Sequence, residues 1–505
     1  AASARPEQRE VVLQPKEGQM SESTVRAAVR GFGSSFGIQM ISSLFSVGVR
    51  VALARAMGPR LFAFSEVQMS LALALVMLPA RESFRRIAIR EPDERQSVLL
   101  ATSGCFLSVM MALAVACYNV SSATGDERLA MLITCLAAAL ESLSEPALVS
   151  ATRQEMYSAV SMVRAAGSIV SSAATVVVVR IVPKSRVISA VAACGVINAA
   201  VLTGGLVAAC GGASRAFFVG KPSSSTLTLA GQSVLNSVVK FVLGNGENFV
   251  LLWCVDQGSQ GAYKLAMNVS SLVARFLFAP LEEQSFAAFA RLQEDPASAR
   301  LVLVLATKVA SSVALILATI GPPFSKLFVR LVYGEVWSSS AASVILSVSF
   351  LYLVFLAANG TSEGFMQSVA DAQSVRSYTS YTVKVMGLYM GAALLLTAAY
   401  GPCGLLVANM FNMTLRAAYC FRFIAAWLGK SQPAQHVSAW SLYRQCLPTT
   451  GCLLSMIALS ALCMGSAEAL GMNESLSTLD PRRSSVHVAV GAVSLALALA
   501  SFRVF

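Results

Sequence analysis

About fourteen continuous apolar stretches, each long enough to cross a bilayer, run through this chain from Gly31 to Phe505. A spanning helix needs roughly 20 mostly apolar residues, because no water in the hydrocarbon can satisfy a stray backbone amide. The stretches fall near 33–54, 62–80, 98–118, 129–151, 157–179, 187–210, 227–252, 262–281, 301–320, 341–358, 379–399, 403–425, 446–465 and 485–502. They are continuous rather than alternating, and rich in Ala and Leu, which excludes a spanning barrel. The expected fold is an all-α polytopic membrane protein. With 56% apolar and 13% charged residues, the 505-residue chain is too apolar for a soluble protein of this length.

The pattern also repeats. Gly58 begins a turn, an apolar run follows to Leu78, and the run ends in Pro79-Ala80-Arg81-Glu82-Ser83-Phe84. Gly258 begins a second turn, its run reaches Ala279, and it ends in Pro280-Leu281-Glu282-Glu283-Gln284-Ser285-Phe286. A duplicated bundle is the usual build of a carrier that rocks one half against the other around a central site. The chain therefore divides into an arm (1–30), an N-lobe of six spans (31–211), a linker (212–226), a C-lobe of six spans (227–427), a loop (428–445) and a C-terminal pair of helices (446–505). These make about 14 transmembrane helices in two pseudo-symmetric six-helix lobes plus two.

Residues 1–30 are polar, mixed in charge and without a signal-peptide pattern, and read as a disordered cytosolic arm. The start at Ala1 points to a missing initiator Met or to a true start at Met20. Basic residues in alternate loops outnumber those opposite by roughly two to one, which places both termini in the cytosol. That bias accounts for much of the +12 net charge, so no nucleic-acid partner is needed. Eleven scattered cysteines without Cys-x-x-Cys pairing read as small packing residues. Sequons at Asn119 and Asn473 fall in loops assigned to the far side, where a glycan is possible.

Ionisable residues inside spans are costly and point to a cavity or a partner. The basic ones are Arg50, Arg164, Lys240, Arg275, Lys308, Lys384 and Arg416, and the acidic ones Glu66, Glu141, Glu145, Glu247, Glu282, Glu283 and Glu363. Arg50, Arg275 and Arg416 have no acid in the same turn. A hollow lined by those guanidinium groups would engage a phosphate or diphosphate bidentately. The first span holds no Asp or Glu, which weakens a cation-coupled exporter. No Asp-x-Asp pair or histidine cluster occurs, and Gly33-Ser34-Ser35-Phe36-Gly37 opens a helix instead of following a strand. No metal, cofactor or catalytic residue is expected, and the chain is read as no enzyme.

Residues 247–283 carry Glu247-Asn248, Gly258, Gly261-Ala262-Tyr263, Asn268-Val269-Ser270-Ser271-Leu272-Val273-Ala274-Arg275-Phe276 and Pro280-Leu281-Glu282-Glu283. With Tyr333-Gly334, Ala358-Asn359-Gly360-Thr361-Ser362-Glu363-Gly364-Phe365, Leu406-Val407-Ala408-Asn409-Met410-Phe411-Asn412-Met413, Arg416 and Ala80-Arg81-Glu82-Ser83-Phe84-Arg85-Arg86, this resembles the eukaryotic oligosaccharide translocation proteins of the Rft family. Asn248 replaces a basic residue of the family pattern, Gln284 is an apparent insertion, and Ser43 stands where relatives often hold a basic residue. The resemblance implies the multidrug/oligosaccharidyl-lipid/polysaccharide flippase superfamily, the endoplasmic reticulum membrane and N-glycan assembly. It further implies movement of mannose-rich oligosaccharide-diphosphodolichol from the cytosolic to the lumenal leaflet. On that reading the partners are the dolichol-linked oligosaccharide, membrane lipids and other N-glycan assembly proteins. The diphosphate would meet Arg50, Arg275 and Arg416; Arg81, Arg85 and Arg86 would attract the headgroup; Glu82, Glu282, Glu283, Glu363 and Glu247 would form gating ion pairs. A non-flipping scaffold and a small-molecule exporter are the alternatives.

Overall fold

The computed structural model describes residues 45–122, 125–212, 224–431, 438–471 and 481–501. The 1–30 arm, the Gly33–Gly37 motif, Ser43, Asn473 and most of the 212–226 linker lie outside them. No strand occurs among the described residues. The long helices are α1 (45–56), α2 (Pro59–Ala88), α3 (Glu94–Ser122), α4 (Gly125–Arg153), α5 (Tyr157–Ile181), α6 (Lys184–Ala209), α7 (Ser224–Cys254), α8 (Gln257–Arg291), α9 (Pro296–Tyr333), α10 (Ala342–Val369), α11 (Ala372–Tyr400), α12 (Pro402–Ser431), α13 (Thr450–Ala469) and α14 (Pro481–Ser501). Short helices Glu335–Ser338 and Ala439–Gln445 precede α10 and α13.

Among the described residues eleven helices are long and apolar enough to cross a membrane: α2 to α6, α8 to α11, α13 and α14. The chain is a multi-pass membrane protein. α7 and α12 are not among the eleven, and α12 carries Asn409, Asn412, Arg416 and Arg422 within one helix. Large apolar side chains such as Phe106, Ile181 and Leu395 face outward, as a lipid-facing surface requires. Tyr118, Trp253 and Tyr400 are exposed at span ends, where amphipathic rings favour the headgroup level.

Several helices run past their apolar stretches. α8, expected over 262–281, extends from Gln257 to Arg291, because its hydrogen-bond ladder continues where apolarity ends. Lys264 is two turns inside α8 and pairs with Glu247 of α7 at 3.3 Å. Asn119, expected in a loop, lies in the last turns of α3, where its amide donates to the Val115 carbonyl at 2.8 Å. A sequon wound into a helix is not the surface loop that a glycan acceptor calls for.

Interior prolines direct the packing, because each lacks the N–H that would serve the carbonyl four residues back. Pro323 frees the Thr319 carbonyl, and Ser460 of α13 donates to it at 2.7 Å. His487 of α14 contacts the Pro323 carbonyl at 3.3 Å and stacks on Phe324, so the C-terminal pair docks where α9 is broken. Pro146 likewise frees the Ser142 carbonyl, which Cys105 of α3 occupies at 2.8 Å. Pro79 lies in a wide π-helical segment, Leu78–Phe84, and a second such segment, Ala274–Phe278, runs up to Pro280. The repeated sequence thus produces the same local irregularity in α2 and α8, at the kind of segment that recurs at functional sites.

Within the first half, α3 packs on α4, and α4 and α5 pack on α6; in the second, α9 packs on α10, and α10 and α11 pack on α12. α8 meets the start of α2, and α7 meets the Leu78–Phe84 segment. The largest apolar cluster crosses this junction, joining Leu53, Met57, Phe62 and Val67 to Tyr263, Leu265, Trp337 and Leu353.

Candidate functional site

At the Gly58 end the halves are clamped. Gly261 of α8 lies so close to α2 that a Cβ there would fall 2.1 Å from the Pro59 carbonyl oxygen. Arg55 donates to the Val332 carbonyl at 2.5 Å and to the Leu331 carbonyl, closing the C-terminal end of α9. In return the Trp337 indole N–H donates to the Ala54 carbonyl at 2.7 Å, near the end of α1. Each half therefore satisfies carbonyls that the other half's helix end leaves open. Phe62 packs edge-on to Trp337 at 5.4 Å, and Arg60 reaches Gln257 at 2.9 Å.

Below the clamp the arginines separate into three groups. Arg50 and Arg275 line one narrow cleft with Val47, Phe62, Asn268 and Tyr333. Arg50 donates to the Asn268 side chain at 3.1 Å, and Arg275 folds onto Ser271 of its own helix at 2.7 Å. The cleft holds only about 20 Å³, room for about one water.

Arg416 is elsewhere. Its guanidinium pairs with Glu363 of α10 at 2.6 Å, and Glu363 also accepts from Asn359 at 3.1 Å and Gln367 at 3.1 Å. The three arginines expected around one hollow therefore occupy two places, and Arg416 arrives neutralised. Glu282 lies on the bare Cα of Gly360, where an added Cβ would be 1.8 Å from its carboxylate, next to the Glu363 group. Gly360 is the residue that lets α8 and α10 approach here. Glu283 is exposed, and Glu247 is held by Lys264 as above.

The third group lies between α2, α4, α5 and α6. Arg81 and Arg85 are four residues apart on α2, and Glu141 and Glu145 are four apart on α4, so each pair shares a helix face. They form a two-rung ladder: Arg81 to Glu141 at 2.5 Å, and Arg85 in a two-pronged pair with the buried Glu145. Arg164, Ser168, Ser171 and Asn198 complete a cavity of about 520 Å³. Arg86 does not join it; exposed, it pairs with Glu82 one turn away. Arg81 and Glu82 also border a 340 Å³ hollow with Lys240 and Asn245 of α7, across the junction between halves. A separate apolar groove of 340 Å³ runs between α10, α12 and the short helix Ala439–Gln445, lined by Phe355, Phe421, Trp440 and Tyr443 with Arg422.

Sequence reasoning overlooked the Arg55–Trp337 clamp and the role of α5. The second had a signal: Arg164, Ser168 and Ser171 repeat at i, i+4 and i+7 in an otherwise apolar run. The clamp had none, because its acceptors are backbone carbonyls. Among the described residues no group of three His, Cys, Asp or Glu side chains is placed to hold a metal.

A multi-pass bundle with charged hollows inside and repeated Pro-broken helices matches one family over most of its length. The Rft protein family model covers residues 27–504. The chain belongs to the Rft protein family. Similar relatives are the Man(5)GlcNAc(2)-PP-dolichol translocation proteins RFT1 of Mus musculus and Schizosaccharomyces pombe. The mouse protein is 29% identical over 302 residues, which cover 57% of this chain and 52% of that protein. The yeast protein is 31% identical over 208 residues, 40% of this chain and 39% of that protein. The matched part of this Rft chain thus spans about half, or less, of the curated relatives. Among solved structures it resembles a lipid II flippase MurJ in an inward closed conformation, with TM-score 0.59, 13% identity and coverage of 93% and 98%. It also resembles an inward-facing multidrug resistance MATE transporter, with TM-score 0.53, 14% identity and coverage of 77% and 96%. These likenesses show that this Rft chain shares the fold of those two proteins.

Proposed function

We propose that this chain moves a mannose-rich oligosaccharide-diphosphodolichol, of the Man(5)GlcNAc(2)-PP-dolichol type, from the cytosolic to the lumenal leaflet of the endoplasmic reticulum membrane during N-glycan assembly. One observation carries the reading. The halves are clamped at the Gly58 end by Arg55, Trp337 and Gly261, while toward the other end of α2 a 340 Å³ hollow bordered by Arg81, Glu82, Lys240 and Asn245 lies between them. That is the arrangement of a carrier waiting open on one side. The positive-inside bias assigns the open side to the cytosol, with both termini there. In this arrangement the chain makes fourteen spans: an N-lobe of α1–α6, a C-lobe of α7–α12, and the α13–α14 pair against α9.

The sugars would occupy the charged cavities, and the polyisoprenyl tail would stay in lipid. Arg81 and Arg85 face the headgroup from the ladder, while the Arg50–Arg275 cleft must widen before a diphosphate enters it. Glu282, Glu283, Glu363 and Glu82 lie on α2, α8 and α10, where opening and closing would exchange their partners. No step in this reading makes or breaks a covalent bond, and other N-glycan assembly proteins would supply and take up the lipid.

A scaffold that holds the lipid without flipping it is the second reading, favoured by how fully Arg81, Arg85 and Arg416 are already paired. Purified full chain in vesicles separates the two. Transbilayer movement of labelled oligosaccharide-diphosphodolichol should exceed that in protein-free vesicles several-fold. Equal movement with and without protein refutes translocation.

A further inference from the structure

The cavity between α2, α4, α5 and α6 encloses three guanidinium groups and two carboxylates. Four of these charges cancel through the ladder Arg81–Glu141 and Arg85–Glu145. Arg164 is left over: among the described residues it makes no hydrogen bond or ion pair, and neither carboxylate of the cavity is free to take it. It sits in the field of both rungs of the ladder, repelled by Arg85 and Arg81 and attracted by Glu145 and Glu141, without a contact partner of its own. Arg164 is exposed where it lines the cavity, so its guanidinium is open to a ligand, and a charge at this depth of a span faces water or a partner.

The surroundings specify what that something is. Ser168 and Ser171 follow Arg164 on the same face of α5 and line the cavity with it. The side-chain oxygen of Asn198 comes over Gly167, where a Cβ would meet it at 2.8 Å. Arginine, two hydroxyls and an amide together offer N–H and O–H donors to one small volume, a set that suits phosphate oxygens. The volume of about 520 Å³ is that of a small-molecule site, with room for a diphosphate and an attached sugar. Arg164 is seven residues into α5, roughly 10 Å below its first turn. α5 packs chiefly on α6 and buries only Val160 and Gly167, so the cavity has a thin outer wall toward lipid.

We propose that this cavity is a subsite for a phosphoanion presented by a membrane-anchored carrier, a polyisoprenyl diphosphate, with Arg164 as its charge-bearing contact. Ser168, Ser171 and Asn198 orient the anion, and Arg81 and Arg85 raise the local potential without being its direct partners. The assignment rests on the translocation reading above for the identity of the carrier. The bare phosphoanion chemistry is shared with anionic phospholipid headgroups.

The test uses the full chain in nanodiscs of phosphatidylcholine, titrated with inorganic pyrophosphate by calorimetry. Arg164→Gln should weaken binding at least tenfold, Arg164→Lys should fall between, and the Ser168→Ala/Ser171→Ala pair should weaken it severalfold with an unchanged unfolding temperature. Pyrophosphate that binds the wild type and Arg164→Gln equally overturns the site. Short-chain polyprenyl diphosphate should displace the pyrophosphate while phosphatidylserine does not; equal displacement by both overturns the assignment to the carrier. In transporting vesicles, Arg164→Gln that loses pyrophosphate binding yet translocates at the wild-type rate also overturns it, leaving the translocation reading standing. A wild type that binds pyrophosphate through Arg164 but translocates nothing sinks the translocation reading and leaves the anion site.

Discussion

Adding one methyl group at Gly261 should open the clamp between the halves. The new Cβ would lie 2.1 Å from the Pro59 oxygen and 2.9 Å from its carbonyl carbon, against ordinary contact from 3.4 Å upward. Pro59 is held by its ring at the head of α2 and cannot step aside. α8 must retreat instead, by about 1.3 Å along the line of that contact. A second half moving as one body would stretch the 2.7 Å Trp337–Ala54 bond to about 4 Å, beyond hydrogen-bond range. Overpacking of this kind costs about 1–3 kcal/mol. The lost hydrogen bond adds about 1 kcal/mol. Together these shift the ratio of clamped to unclamped protein on the order of 30- to 700-fold, at tenfold per 1.4 kcal/mol. Met57, buried in the clamp, reports the change when replaced by cysteine. In a Met57→Cys background whose eleven native cysteines are replaced, Gly261→Ala should speed labelling by a membrane-impermeant maleimide by at least tenfold. Gly404→Ala is the control, because its Cβ would meet the Leu396 oxygen at 2.0 Å within the second half. It should lower the unfolding temperature and leave the labelling rate alone. A folded Gly261→Ala protein that labels at the parent rate refutes the claim that this contact holds the halves together.

Three further outcomes follow from the ion pairs and caps. Arg85→Ala leaves the carboxylate of Glu145, 2% exposed, with only the longer 3.9 Å contact to Arg81, and should cost about 3 kcal/mol in thermal unfolding. The Arg85→Leu/Glu145→Leu double variant should recover most of that loss; additive losses refute the pairing. Arg416→Ala should destabilise less, because Glu363 keeps its bonds from Asn359 and Gln367, whereas Arg275→Ala, which frees only Ser271, should slow translocation with the unfolding temperature unchanged. Asp256 caps α8 through the Ser259 backbone N–H at 3.0 Å, and that bond holds its carboxyl below the usual range. The cap therefore stabilises fully above the unfolded carboxyl value of about 3.9 and fades as pH falls through the lower folded value. Asp256→Ala should cost about 1 kcal/mol at neutral pH and progressively less in acid, read as the difference in unfolding temperature.

The bundle was legible because membrane insertion is a local requirement. Each span must satisfy its own backbone, so run length and apolarity announce it without knowledge of neighbours. The repeated motif around Gly58 and Gly258 was equally visible, and both copies carry a π-helical segment at or just before their proline. The arginine grouping was not legible. Arg50, Arg275 and Arg416 looked alike in sequence, yet the first two flank a closed cleft and the third is sealed by Glu363. Facing directions were the missing quantity. α2 contains π-helical segments at Phe64–Met69 and Leu78–Phe84, and α8 one at Ala274–Phe278. Each extra residue in such a segment turns everything beyond it by about 100°, so a face counted from one end is lost at the other.

The sequence by itself determined a helical, multi-pass membrane protein of the Rft family, with too few charges to spend any idly. Only the tertiary structure decided which charges met: Arg81 and Arg85 with two glutamates, Arg416 with one, and Arg164 with none. Hydropathy and backbone satisfaction are summed within a single helix, whereas the pairing of two buried charges depends on the rotation and depth of two helices at once.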